Sequence, residues 1–143
     1  MLNQKTETLL TGDAGEASFV VSDNDMASAL ATSEEDNFPE VFATSRMIAL
    51  MELAGARVMK RILEPGQLSV GVGVYIKHLA ATPNHTRVKA VATFMEMEGK
   101  LYKFKVEAFD PAGKIGEGEH TRAVVSADRL VGGAQKRISD SVV

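Results

Sequence analysis

The chain has 143 residues and a net charge of −3, with 45% hydrophobic and 24% charged residues. This length suits a single domain, residues 1–143, with a sizeable core, and the interspersed acidic and basic residues exclude an electrostatic nucleic-acid-binding protein. The absence of cysteine excludes a disulfide scaffold, a thiolate nucleophile and a cysteine-based zinc site.

The N-terminal part predicts a short strand followed by an ordered loop. Residues 1–12 form an irregular lead-in without a signal-peptide pattern, and no apolar run reaches membrane length, so we expect a cytoplasmic protein without a membrane partner. The apolar run 17–21 predicts a strand, and the acidic segment 23–25 ends it. Because Pro39 favours an extended Phe38, we expect a loop there that leads into a helix.

The strongest helical pattern covers residues 44–63, with Thr44 or Ser45 as the N-terminal cap. The helical period predicts one core stripe, which comprises Met47, Leu50, Met51, Ala54, Val58 and Ile62. A second flank is also mostly apolar or small, and comprises Ile48, Glu52, Gly55, Ala56 and Met59. Glu52 is the one charged residue of that flank, so we expect either a catalytic carboxylate or a buried one that is hydrogen-bonded across subunits.

The rest of the chain predicts four antiparallel strands, residues 68–78, 86–97, 101–110 and 114–126. In the first of them His78 shares the alternation of Val74 and Ile76, which predicts that His78 faces the helix. From residue 127 the tail shows no convincing period, and we expect it to be loosely held.

One strand, one long helix and four further strands indicate an α+β domain with the helix on one face of the sheet. A single helix cannot cover a five-stranded sheet, and the helix has a second apolar flank. These two features predict a homodimer, and they leave open whether the dimer associates further.

Three segments resemble the fluoroacetyl-CoA thioesterase-like branch of the hotdog-fold acyl-CoA thioesterases. They are FPEVFATSRMIALMELAGAR (38–57), VGVYIKHLAATP (72–83) and DPAGKIGEGEHTRAVV (110–125). The resemblance implies a curved antiparallel sheet wrapped around one long central helix, and two subunits whose sheets join. It also implies hydrolysis of an acyl-CoA, with no cofactor because CoA is part of the substrate.

The resemblance implies catalytic roles for Glu52, His78 and Thr44. Partial burial would raise the pKa of a glutamate on an apolar flank and make it a usable base. A histidine titrates near working pH and can exchange protons with a carboxylate or with water, although a histidine at a strand end can also be purely structural. Thr44 either borders the acyl group or only caps the helix.

The same resemblance implies substrate contacts for Gly71, Arg122 and Phe38. The backbone N–H of Gly71 would meet the thioester, Arg122 would lie near CoA, and Phe38 would help to gate the pocket. Arg122 could instead pair with Glu119 or Asp110. Because Leu53 follows Glu52, where the fluoroacetate-specific member differs, we expect short or hydrophobic acyl chains as substrates.

The three histidines lack the spacing of a metal site, so no metal is expected. We expect His120 to be a strand residue without a catalytic or binding role. Two other functions remain open at this point: a non-enzymatic protein that binds acyl-CoA or a small ligand, and a hotdog hydratase or dehydratase.

Overall fold

The computed structural model of the chain describes residues 8–141, and its elements follow the predicted order. They are β1 (Ala14–Val20), two 3-10 turns (Asp23–Asp25 and Ala27–Leu30), α1 (Thr44–Met59) with a 3-10 turn at Lys60–Ile62, β2 (Gln67–His78), β3 (Arg87–Glu98), β4 (Leu101–Asp110), β5 (Gly113–Ser126) and α2 (Ala127–Ser141). Part of the expected lead-in, residues 1–7, lies outside the described residues. Within 8–141, none of the helices has the length and apolar character needed to cross a membrane.

The five strands form one antiparallel sheet with the order β1-β3-β4-β5-β2. Strands β3, β4 and β5 form a meander of sequential neighbours. Strand β2 does not pair with β3, which follows it in the chain, but pairs with β5 and becomes an edge of the sheet. The predicted α+β class is correct, and β2 is left with one unpaired side.

The core stripe predicted for α1 faces the sheet. Its members Met47, Leu50, Met51, Ala54 and Val58 are buried, and Ile62 packs against the core. Gly55 and Met59 of the second flank are also buried by the chain's own sheet, and a Cβ at Gly55 would lie 3.3 Å from Cδ of Arg122. The chain's own sheet therefore covers part of the second flank, whereas Ile48 and Ala56 remain partly exposed.

A β-bulge at Val72 changes which residues of β2 face the helix. Gly71 pairs with Arg122 and Gly73 with Thr121, so one extra residue stands between the two pairs. Val74, Ile76 and His78 face α1, as predicted. In the part of β2 that precedes the bulge, the alternation of residues between the two faces of the sheet is reversed.

The reversal moves Ser69 and Gly71 onto the helix side in place of Leu68 and Val70. A Cβ at Gly71 would lie only 2.5 Å from Glu52 Oε2, and Ser69 hydrogen-bonds Arg122 under the helix. Uniform alternation along β2 was therefore a wrong expectation, because a bulge inserts one residue without a partner.

The start of α1 is fixed by Asp25 and not by a helix cap. The N-cap residue is Ala43, which has no side-chain bond to offer, so the expected caps Thr44 and Ser45 are wrong. The carboxylate of Asp25 accepts hydrogen bonds from Arg46 Nε and Nη2 at 3.0 and 2.8 Å, and its backbone oxygen accepts one from the Ala43 N–H at 2.9 Å.

The tail is helical, although its sequence shows no convincing helical period. Helix α2 covers Ala127–Ser141, and no residue in it is buried. The N–H of Ala127 donates to the carbonyl oxygen of Gly66, which places the start of α2 beside the start of β2.

The Asp25 contacts predict a measurable loss of stability in Asp25→Asn. Burial by itself would raise the pKa of Asp25, but hydrogen bonds from Ser22 and Arg46 outweigh it and lower the pKa below its ordinary value. We expect the variant to lose about 1–3 kcal/mol in the free energy of unfolding, measured by urea denaturation at neutral pH. The exposed Glu34→Gln is the matched control.

The pH dependence of this loss has a definite sign. A carboxyl with a lowered native pKa stabilises the fold above its unfolded pKa and stops doing so as the pH falls through the native value. The difference between wild type and Asp25→Asn should therefore shrink in acid, below the ordinary value of 3.8. A difference that is constant down to strong acid would contradict the assignment.

Candidate active site

Thr44 and His78 form a hydrogen-bonded pair at the start of α1 and the end of β2. Thr44 Oγ1 lies 2.8 Å from His78 Nδ1. The hydroxyl is free for this bond because Ala43, not Thr44, occupies the N-cap position. The other ring nitrogen of His78, Nε2, is buried and has no hydrogen-bond partner among residues 8–141.

The pair opens onto an apolar cleft of about 430 Å³. The cleft is lined by Ala27, Pro39, Val41, Phe42, Thr44, His78, Leu79, Ala80 and Ala81. Phe38 is 46% exposed and is not part of this lining, although its neighbour Pro39 is. Burial lowers the pKa of His78, so its imidazole is neutral at neutral pH and can accept a proton.

Glu52 lies at the other end of β2, over the backbone of Gly71. The two residues line a smaller cavity of about 180 Å³, together with Val72, Gly73, Val74 and His120. A Cβ at Gly71 would lie 2.5 Å from Glu52 Oε2, so only glycine leaves room for the carboxylate in this position. The Glu52 side chain is 44% exposed, and it therefore remains accessible from the cavity.

Arg122 is buried beneath α1, and each of its three guanidinium nitrogens donates a hydrogen bond. It donates to Ser69 Oγ and to the Ser69 carbonyl oxygen, each at 3.0 Å, and to His120 Nε2 at 3.0 Å. Its Nη1 also lies 3.5 Å from Glu52 Oε2. The carboxylate that pairs with Arg122 is therefore Glu52, rather than one of the acidic residues suggested by proximity in sequence.

Those two acidic residues have other partners. Glu119 lies 3.5 Å from Lys103 Nζ, and Asp110 accepts a hydrogen bond of 2.7 Å from Thr82. The pairing of Arg122 with Glu119 or Asp110 was therefore a wrong alternative.

His120 belongs to this cluster, although the sequence suggested no role for it. It is 1% exposed, its Nδ1 lies 2.8 Å from the Gly73 carbonyl oxygen, and its Nε2 accepts from Arg122. Burial lowers the pKa of His120. One signal could have found it: His120 and Arg122 are two residues apart on a strand, so they share a face.

The candidate residues thus form two groups within one chain. Thr44 and Glu52 are eight residues apart on α1, or about 12 Å. Gly71 and His78 are separated by about 20 Å along β2. Neither of the two clefts is lined by both Glu52 and His78. Within residues 8–141, no three His, Asp or Glu side chains are grouped as metal ligands would be.

Comparison with known proteins relates this geometry to one family. The model of the fluoroacetyl-CoA-specific thioesterase family matches residues 21–128. A fluoroacetyl-CoA thioesterase from Streptantibioticus cattleyicolor is 42% identical over 93 residues, which are 65% of this chain and 67% of that protein.

Solved structures agree with the family match. A variant of a fluoroacetyl-CoA-specific thioesterase in complex with fluoroacetate and CoA superposes with a TM-score of 0.80 at 36% identity, covering 85% of this chain and 99% of that one. A thioesterase superfamily member from Thermus thermophilus gives a TM-score of 0.81 at 27% identity, covering 93% and 95%. The hotdog fold implied by the sequence is thereby confirmed.

The electrostatics of His78, which is half-buried, and of His120, which is buried, can be tested by NMR titration. Both should titrate below the ordinary histidine value of 6.5, because burial disfavours the charged ring. The negative charge of Glu52 raises the pKa of His120 against that trend. In Glu52→Gln the pKa of His120 should therefore fall further, while that of His78 stays the same. A rise for His120, or an equal shift of both rings, would contradict this geometry.

Proposed function

The chain belongs to the fluoroacetyl-CoA-specific thioesterase family, and we propose that it hydrolyses a small or hydrophobic acyl-CoA to the free acid and CoA. The observation that carries this proposal is the Thr44–His78 hydrogen bond, whose two residues line an apolar cleft. No cofactor is needed, because CoA is part of the substrate. Since acyl-CoA esters are made and used inside cells, the cytoplasm is the compartment proposed with this activity.

The lining of the cleft favours short or hydrophobic acyl groups. Ala27, Val41 and Ala80 are small or branched apolar residues, and they offer an acyl chain contacts without hydrogen bonds. Leu53, which had suggested this substrate range from the sequence, is 43% exposed on the outer face of α1 and does not line the cleft. The substrate class therefore rests on the cleft and not on Leu53. Phe38, exposed beside the cleft, suits the role of a gate.

Hydrolysis of a thioester requires attack on the carbonyl carbon, donors for the developing oxyanion and a proton for the thiolate that leaves. In our proposal Glu52 attacks the carbonyl carbon or deprotonates the attacking water. Thr44 and His78 hydrogen-bond the thioester, and as the carbon–sulfur bond breaks, the His78 ring gives a proton to the departing CoA thiolate. The water that is consumed replaces that proton, so the products are the free acid and the CoA thiol. The Gly71 backbone meets the thioester oxygen, and Arg122 lies behind Glu52.

These groups meet at one thioester only if two chains contribute. We propose a homodimer in which β2 pairs with the β2 of a second copy. Strand β2 is a sheet edge of 12 residues, with apolar side chains at Val72, Val74 and Tyr75 that are 56%, 49% and 72% exposed. An exposed apolar edge of this length readily pairs with another strand, and proteins normally protect such edges.

The register of this pairing follows from the bulge. An antiparallel pairing centred on Tyr75, with the bulge at Val72 retained, would set Gly71 opposite the partner's His78. Both residues lie on the helix side of the sheet. Glu52 of one chain and the Thr44–His78 pair of the other would then border one cleft, and the dimer would hold two such sites.

The activity is tested with Glu52→Gln and a panel of acyl-CoA esters of increasing chain length, by release of free thiol. We expect the wild type to release CoA and the variant to lose about 10²–10⁴-fold in kcat, because an amide cannot act as a base. Glu98→Gln, an exposed residue at the β3–β4 turn, should leave kcat unchanged. Binding of acyl-CoA without release of thiol by the wild type would instead identify a ligand-binding protein.

The dimer is tested by light scattering at micromolar concentration. Wild type should give twice the chain mass of 15.3 kDa. Tyr75→Glu should give the monomer and lose activity, because two like charges would lie directly opposite each other at the centre of the paired strands. Met97→Glu is the matched control, since Met97 is 46% exposed at the far end of β3. A monomeric wild type would contradict the proposed interface.

A further inference from the structure

The hydrogen bonds of His120 have a fixed direction. A guanidinium has only donors, so Nε2 of His120 must present its lone pair to Nη1 of Arg122. Nδ1 must then carry the proton and donate it to the carbonyl oxygen of Gly73. The imidazole satisfies both bonds only as the neutral Nδ1–H tautomer, and the lowered pKa of the buried ring favours that neutral form.

The bonds of His120 connect the bulge in β2 to the carboxylate of Glu52. Gly73 is the residue directly after the bulge at Val72, and its carbonyl oxygen is held by His120. His120 in turn holds Nη1 of Arg122, and the same Nη1 lies 3.5 Å from Glu52 Oε2. The position of the guanidinium therefore depends on an acceptor supplied by His120.

We propose that His120 is a positioning residue, which aims Arg122 at Glu52 and so fixes the carboxylate over Gly71. This inference rests on the proposed thioesterase function and assigns to His120 a role that it exerts through Arg122 and Glu52. It requires two properties of one side chain: an acceptor toward Arg122 and a donor toward the bulge.

Glu52 needs such support because its side chain is long and 44% exposed. Without a fixed neighbour the carboxylate would sample several rotamers, and productive attack requires a narrow range of positions. Ser69 holds the opposite side of the guanidinium through Nε and Nη2. Nη1 lies 3.5 Å from Glu52 Oε2, and His120 is the hydrogen-bond acceptor of this nitrogen among the described residues.

Two substitutions separate the two bonds of His120. His120→Gln can place an amide oxygen where Nε2 stands, which keeps the acceptor for Arg122. His120→Asn can place an amide nitrogen where Nδ1 stands, which keeps the donor to Gly73 and removes the acceptor. We expect His120→Asn to lose about 10²-fold in kcat, as for a misplacement near 1 Å, with little change in KM. His120→Gln should recover most of that loss.

A merely structural role predicts a different outcome. The two variants would then lose activity in proportion to their loss of melting temperature, with no advantage for the variant that keeps the acceptor. Equal kcat values for His120→Gln and His120→Asn, or a loss confined to KM, would overturn the proposal. Should His120→Asn fail to fold, Ser69→Ala removes one of the other bonds to Arg122, and it should lower kcat without raising KM.

Two readouts are independent of activity. Imidazole nitrogen NMR of the wild type should show His120 as the neutral Nδ1–H tautomer, and crystal structures should show Glu52 displaced from Gly71 in His120→Asn but not in His120→Gln. The other tautomer, or an unmoved Glu52, would overturn the positioning role. Absence of hydrolysis by the wild type would instead refute the proposed function, and these two readouts would still decide the role of His120.

Discussion

The burial of one guanidinium determines the architecture of half of the candidate site. A buried charge is tolerated only when it is paired and its donors are satisfied, because each unsatisfied group costs free energy. Arg122 meets this requirement through Ser69, His120 and Glu52. These partners come from β2, β5 and α1, so the single charge holds three elements at fixed distances. The bulge at Val72 makes this possible, because it turns Ser69 and Gly71 toward the helix.

The other half of the site depends on the entry into α1. Asp25 fixes Arg46 and the backbone of Ala43, so the first residue of the helix, Thr44, is held in place without capping it. The threonine hydroxyl is thereby available to His78. A side chain that capped the helix would have used its oxygen on backbone N–H groups, and the pair with histidine would not exist.

The two halves lie at opposite ends of β2, and this separation links catalysis to assembly in our proposal. A monomer presents a carboxylate with its arginine at one end of the strand and a Thr–His pair at the other. Antiparallel pairing of two identical strands exchanges their ends, so each site would receive one half from each chain. The sheet edge, the bulge and the glycine under Glu52 then all serve the same purpose, which is to complete the site between two chains.

The amino-acid sequence by itself determined the element order, the core stripe of α1 and the orientation of His78, since these follow from periods of 3.6 and 2 residues and from local turn signals. Together with the resemblance of three segments, it also selected Glu52, Thr44 and Gly71. It missed His120 and the reversed parity of Ser69. It also assigned the whole second flank of α1 to a partner, whereas the chain's own sheet buries Gly55 and Met59 of that flank.

Only the tertiary structure decided these points, because each depends on strand pairing between residues far apart in the chain. A bulge has no local signature, since it exists only relative to the neighbouring strand. The partner of Arg122 is likewise chosen by packing: Glu52 is 70 residues away in sequence yet 3.5 Å away in space. Local sequence patterns predict which residues share a face of a helix or strand. Only the fold determines which residues pack against that face.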